Sequence, residues 1–105
     1  MKNIGELMRK AQQVQTQMGA LQTKMEHLEF TGESAGGAVS VTMTGKGVAT
    51  AVKINPSVLD DVETLEDLVM IAINESKNKS EDFLNSEMEK MQASLGLPKD
   101  FKMPF

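Results

Sequence analysis

The feature that most constrains this chain is an apolar seam near its start. Ile4, Leu7, Ala11, Val14, Met18, Leu21, Met25 and Leu28 recur in alternating steps of three and four. That spacing is the heptad stripe of a helix that packs along another helix, and no proline interrupts it. It predicts one helix from Ile4 to Leu28, about 40 Å long at ~1.5 Å per residue. The whole chain has 105 residues, room for one domain with a thin core. A narrow stripe on so long a helix must find its partner along a second helix, from this chain or from another copy. With no Trp or Tyr and nine Met, that contact is built from aliphatic and thioether side chains, which tolerate imperfect fit.

The same register sorts the charges. With Ile4 at position a, Lys2 and Arg9 fall at f, and Lys10, Gln17 and Lys24 at g. Glu6 and His27 fall at c, Glu26 at b and Glu29 at e. One flank is therefore basic and Gln-rich, the other acidic. The formal net charge of −4 counts against a polyanionic partner, but only when the charges are mixed.

A hairpin follows the helix. Val39, Val41 and Met43 alternate with polar residues, and so do Val48, Val52 and Ile54 with small or polar ones, which predicts two half-buried strands. A two-residue loop at Gly45-Lys46 sets Met43 against Val48, Val41 against Thr50 and Val39 against Val52. Residues 30–34 add a short strand before Ala35-Gly36-Gly37. Asn55-Pro56-Ser57 ends the sheet. A second helix is expected from Val62 or Thr64, with Asp60, Asp61, Glu63, Glu66 and Asp67 clustered at its start, where carboxylates meet the positive end of the helix dipole. Its apolar face is Leu65, Leu68, Val69, Ala72 and Ile73. After the polar stretch from Ser76 to Asp82 come Phe83, Leu84, Met88, Met91 and Leu95, and Gly96 and Pro98 stop the helix. The expected fold class is α+β: long helix, small antiparallel sheet of about three strands, long helix. Residues 1–98 form the single domain, and 99–105 are expected to be a mobile tail.

Enzymatic chemistry finds no support. There is no cysteine and one histidine, His27, so thiolate nucleophiles, disulfides and His-based metal sites or triads do not assemble within one chain. Gly45-Lys46-Gly47 and Ser34-Ala35-Gly36-Gly37 lack the phosphate-loop spacing and read as turns. The acidic group at Asp60–Asp67 lacks the EF-hand pattern and reads as helix capping. No cofactor, metal, membrane or small-molecule substrate is expected. The first residues lack a signal peptide's apolar run, so an intracellular, cytoplasmic protein is expected.

The residues carry a resemblance. Met8-Arg9-Lys10-Ala11-Gln12-Gln13-Val14-Gln15 leads to Thr31-Gly32-Glu33-Ser34-Ala35-Gly36-Gly37-Ala38-Val39-Ser40-Val41-Thr42-Met43-Thr44-Gly45-Lys46-Gly47. Then come Val52-Lys53-Ile54-Asn55-Pro56-Ser57, Leu65-Glu66-Asp67-Leu68-Val69, Ala72-Ile73-Asn74-Glu75 and Leu95-Gly96-Leu97-Pro98. This resembles the YbaB/EbfC family of bacterial nucleoid-associated proteins over essentially the whole chain, and Gly36 to Pro56 is the specific part. Glu29-Phe30 and the residues after Pro98 are peculiar to this sequence.

The resemblance implies a homodimer whose helices project like tweezer arms from a shared β platform. It implies double-stranded DNA as partner, a nucleoid location and an influence on nucleoid organisation and gene expression. Charge placement then nominates Lys2, Arg9, Lys10 and Lys24 for phosphates, with Gln13 and Gln17 reaching phosphate, sugar or base edges. Lys77, Lys79 and Lys90 stand ready to assist. The packing and dimer seam is assigned to Leu7, Val14, Met18, Leu21, Val39, Val41, Val52, Leu68 and Ala72. The rival reading is a prefoldin-like holdase or protein adaptor, in which Met8, Met18, Met25, Met88 and Met91 form a client surface.

Overall fold

The structure is a computed structural model that describes residues 4–96. Its order is helix α1 (Ile4–His27), strands β1 (Glu29–Ser34), β2 (Val39–Thr44) and β3 (Ala49–Ile54), and helix α2 (Val62–Ser94), with short 3-10 turns at Ala35–Gly37 and Pro56–Val58. The strands form one antiparallel sheet in the order β1-β2-β3. The expected α+β architecture is therefore the observed one. Lys2 and residues 97–105 lie outside the described residues.

The shape is elongated. The principal extents are 69 × 23 × 17 Å and the radius of gyration is 19.1 Å. A compact chain of this length would have a radius near ~13 Å. Two separate cores explain the difference. One is a platform in which Val39, Val41 and Ala72 are buried, with Met43, Val58, Leu65, Leu68 and Val69 packed around them. The other is an arm in which Val14, Leu21 and Met25 of α1 meet Met91 and Leu95 of α2, flanked by Met18, Phe30, Phe83, Leu84 and Met88.

The 33-residue helix α2 belongs to both cores. Asp61 caps it, accepting hydrogen bonds from the backbone N–H of Glu63 at 3.1 Å and of Thr64 at 3.4 Å and from the Thr64 hydroxyl at 3.0 Å. Those bonds, the side-chain bond from Thr64 foremost, hold the Asp61 carboxyl below its ordinary pKa. The polar stretch from Ser76 onward is part of this helix, and Ser76 itself is fully buried. Its hydroxyl donates a 2.6 Å bond to the Phe30 carbonyl. One turn away, Gly32 of β1 runs so close to α2 that a Cβ there would fall on the Ala72 carbonyl oxygen and the Ser76 amide nitrogen.

The hairpin differs from expectation. The loop has three residues: Thr44 N–H bonds the Val48 carbonyl at 2.8 Å, and Gly47 takes a φ of 86°. The Thr44 hydroxyl accepts from the Lys46 and Val48 amides, each at 3.2 Å, which stabilises the longer loop. The pairs are Met43 with Ala49, Thr42 with Ala51, Val41 with Val52 and Val39 with Ile54. Thr50 is the extra residue of a β-bulge beside Thr42 and Met43. The bulge absorbs the odd residue, so the apolar side chains still share one face although each pair has moved. The expectation of a half-buried third strand also fails within one chain: every residue of β3 is exposed. Helix α2 covers β1 and β2 and stops short of β3.

Candidate nucleic-acid interface

The arm is supported along only part of its length. α2 ends at Ser94 and Leu95 is its last buried neighbour, so no residue of α1 from Ile4 to Gln13 is buried. That stretch is about 15 Å of helix at ~1.5 Å per residue. Ile4 and Leu7, placed in the seam by their spacing, are 55% and 63% exposed. The period is real, but α2 is too short to meet its first two turns. Ala11 is exposed as well, whereas further along the seam Val14, Leu21 and Met25 are buried and Met18 is half-buried.

From this free end into the next turn the candidate residues fall on one strip. Arg9, Gln13 and Gln17 line a shallow groove together with Gln12 and Thr16. Lys10 is next to Arg9 and half-exposed. The Arg9 guanidinium is 4.0 Å from the Glu6 carboxylate, with the two side chains 62% and 54% exposed. Such an exposed pair contributes little, so Arg9 is available to a stronger anion.

Lys24 is held differently. Its ammonium donates a 2.9 Å hydrogen bond to Glu87 of α2 and sits 5.2 Å from the centre of the Phe83 ring. Glu87 also faces Lys90 at 3.4 Å, and its side chain is only 18% exposed. The Lys24 hydrogen bond, ahead of its charge and of Lys90, holds the Glu87 carboxyl below its ordinary pKa. Lys24 is thus an interhelical tie in this chain, a role its heptad position did not signal because Glu87 comes from the other end of the sequence. Gln17, Leu21, Lys24, Glu87, Lys90 and Ser94 line the crease between the helices.

Lys79 and Lys77 are also engaged. Lys79 donates a 2.7 Å bond to the Thr31 carbonyl and lies 3.5 Å from Glu75, while Lys77 lies 3.8 Å from Glu81. Among the described residues no group of three or more His, Cys, Asp or Glu is placed to hold a metal ion, and no helix is long and apolar enough to cross a membrane.

The second surface of interest is apolar. Glu75 and Lys79 reach β1 from one flank of α2. Helical geometry turns the opposite flank, with Val62, Val69 and Ile73, towards the β3 side. There Val52 is 55% exposed and Ile54 38% exposed, and Val62 and Ile73 are 66% and 39% exposed. Val52 was expected in the packing seam, and among the described residues nothing covers it. Val39, Val41 and Ala72 lie buried beneath, and Leu68 is half-buried beside them.

Comparison with known proteins places this geometry. Residues 1–95 match the model of the YbaB/EbfC DNA-binding family. The chain is 48% identical to a nucleoid-associated protein of Paramagnetospirillum magneticum and 46% identical to one of Rhodospirillum centenum, over the full length of both partners in each case. The fold is similar to the crystal structure of an uncharacterized protein from Helicobacter pylori, with a TM-score of 0.72 and 25% identity, covering 84% of this chain and 95% of that one.

Proposed function

This chain belongs to the YbaB/EbfC DNA-binding family, and on that premise we propose that it is a nucleoid protein that binds double-stranded DNA as a homodimer through its helical arms. The observation that carries this reading is the free end of α1, where Arg9 and Gln13 are exposed and Lys10 is half-exposed, with Gln17 following half-buried at the start of the crease. The cations neutralise backbone phosphates and release counterions, a sequence-independent attraction that weakens steeply with salt. The two glutamines donate to phosphate or sugar oxygens and reach base edges. Lys2, which shares the heptad position of Arg9 in the sequence, lies outside the described residues.

The apolar surface at β3 supports the homodimer. A second copy laid against Val52, Ile54, Val62 and Ile73 removes from water what α2 leaves uncovered. Because such an interface is isologous, both arms then emerge from one platform. The location in the nucleoid is drawn from the nucleoid-associated relatives, and effects on nucleoid organisation and gene expression would follow from coating or joining DNA there. The holdase reading is less well supported. Met25 and Met91 are buried in the arm core and Met18 and Met88 pack against it, so four of the five methionines it needs are not free to grip a client. Catalysis forms no part of this proposal.

The test is a gel-retardation titration of an unlabelled-sequence panel of 30-base-pair duplexes, run beside light scattering of the free protein. The expected result is retention of every duplex by a species of twice the chain mass. A monomer, or a dimer that retains no duplex at low salt, overturns the reading.

A further inference from the structure

The crease between the helices joins two cations from different elements to one carboxylate. Lys24 of α1 is 2.9 Å and Lys90 of α2 is 3.4 Å from the Glu87 carboxylate oxygens. Both face the same crease, along with Gln17 and Ser94. Two ammonium groups converging on an anionic oxygen pair is also the arrangement that receives a phosphate. Lys24 and Gln17 lie at the same heptad position as Lys10, so the crease continues the strip described above.

We infer that this triad is a self-neutralised phosphate site: Glu87 occupies the place of a DNA phosphate between Lys24 and Lys90 and competes with the duplex for them. The inference rests on the DNA-binding reading and deepens it. The alternative role for Glu87, holding the lysines in place, is weaker on geometry. Lys24 also rests over the Phe83 ring, a second contact in the crease that does not involve Glu87. The Lys90 side chain is 76% exposed, so it is not held rigidly by its carboxylate partner.

The experiment compares Glu87→Gln with Glu89→Gln, an exposed change on the same helix that alters net charge equally. Binding to a labelled duplex is followed by anisotropy across salt concentrations, for each protein and for each combined with Lys24→Gln and Lys90→Gln. Each recovered phosphate contact steepens the salt slope by about 0.9 and is worth roughly eightfold in affinity per decade of salt. Glu87→Gln is expected to bind about tenfold tighter than Glu89→Gln at 0.1 M salt, with a slope steeper by one to two. Removing the two lysines should cost much more in the Glu87→Gln background than in the wild type, where the carboxylate already occupies them. A gain no larger than that of Glu89→Gln, or a loss, overturns the inference while leaving DNA binding in place. Retention by neither the wild type nor Glu87→Gln removes the DNA reading and this inference with it.

Discussion

The Ser76 hydroxyl lies fully buried at 2.6 Å from the Phe30 carbonyl oxygen, and it ties the middle of α2 to the first strand. Beside it Gly32 lies against the α2 backbone. Here the helix leaves the platform and enters the arm, so the contact sets the angle between them. Gly32→Ala should therefore lower stability by at least ~1–3 kcal/mol, since backbone cannot move aside as a side chain can. Ser76→Val should cost ~0.5–1.5 kcal/mol by removing the hydrogen bond that joins α2 to β1. Urea denaturation followed by circular dichroism checks both.

The exposed apolar face gives a second prediction. Val52→Lys or Ile54→Glu should convert a dimer into monomer with little change in the folded chain. Each buried Val or Ile is worth ~1.5–3 kcal/mol, and symmetry counts it twice, so the dimer dissociation constant should rise by two to four orders of magnitude. Sedimentation equilibrium measures it directly.

The two halves of the seam should respond differently. Leu21 is buried at 6% exposure and Leu7 is 63% exposed. Leu21→Ala should cost ~2–5 kcal/mol, and Leu7→Ala should stay within ~0.5 kcal/mol. Equal losses in thermal melts would mean that the first turns of α1 are packed after all.

Much of this was legible in the sequence. The 3-4 spacing from Ile4 to Leu28 marks α1 because helical periodicity is local, and alternation around Val39 and Val41 marks the sheet for the same reason. What escaped depends on distance in the sequence. Nothing near Lys24 signals Glu87, and nothing near Leu7 says that α2 ends before reaching it. Ser76 opens a polar stretch by composition, yet it is buried because Phe30 offers it an acceptor. The two-residue loop keeps the alternating residues in register by itself, whereas the three-residue loop observed needs a compensating bulge. The bulge at Thr50 that repairs the alignment has no strong local signature.

Two carboxylates predict the acid limb of the stability profile. Asp61 and Glu87 are both held below their ordinary pKa by hydrogen bonds. A lowered folded pKa contributes stability above the unfolded value, about 4 for a carboxylate, and that contribution is lost as pH falls through the folded value. Urea midpoints should thus decline from about pH 4 downward, and Asp61→Asn combined with Glu87→Gln should flatten that decline.

In the proposed function the free end of α1 binds DNA phosphates. Its most direct measurement is fluorescence anisotropy of a labelled duplex at low and moderate salt, comparing the wild type with a protein carrying Lys2→Glu, Arg9→Glu and Lys10→Glu. Arg9 and Lys10 lie outside the buried core, and circular dichroism and sedimentation check that the variant remains folded and dimeric. Wild-type binding should weaken with salt, and the variant should not bind. Equal binding by the two proteins would contradict the proposed function.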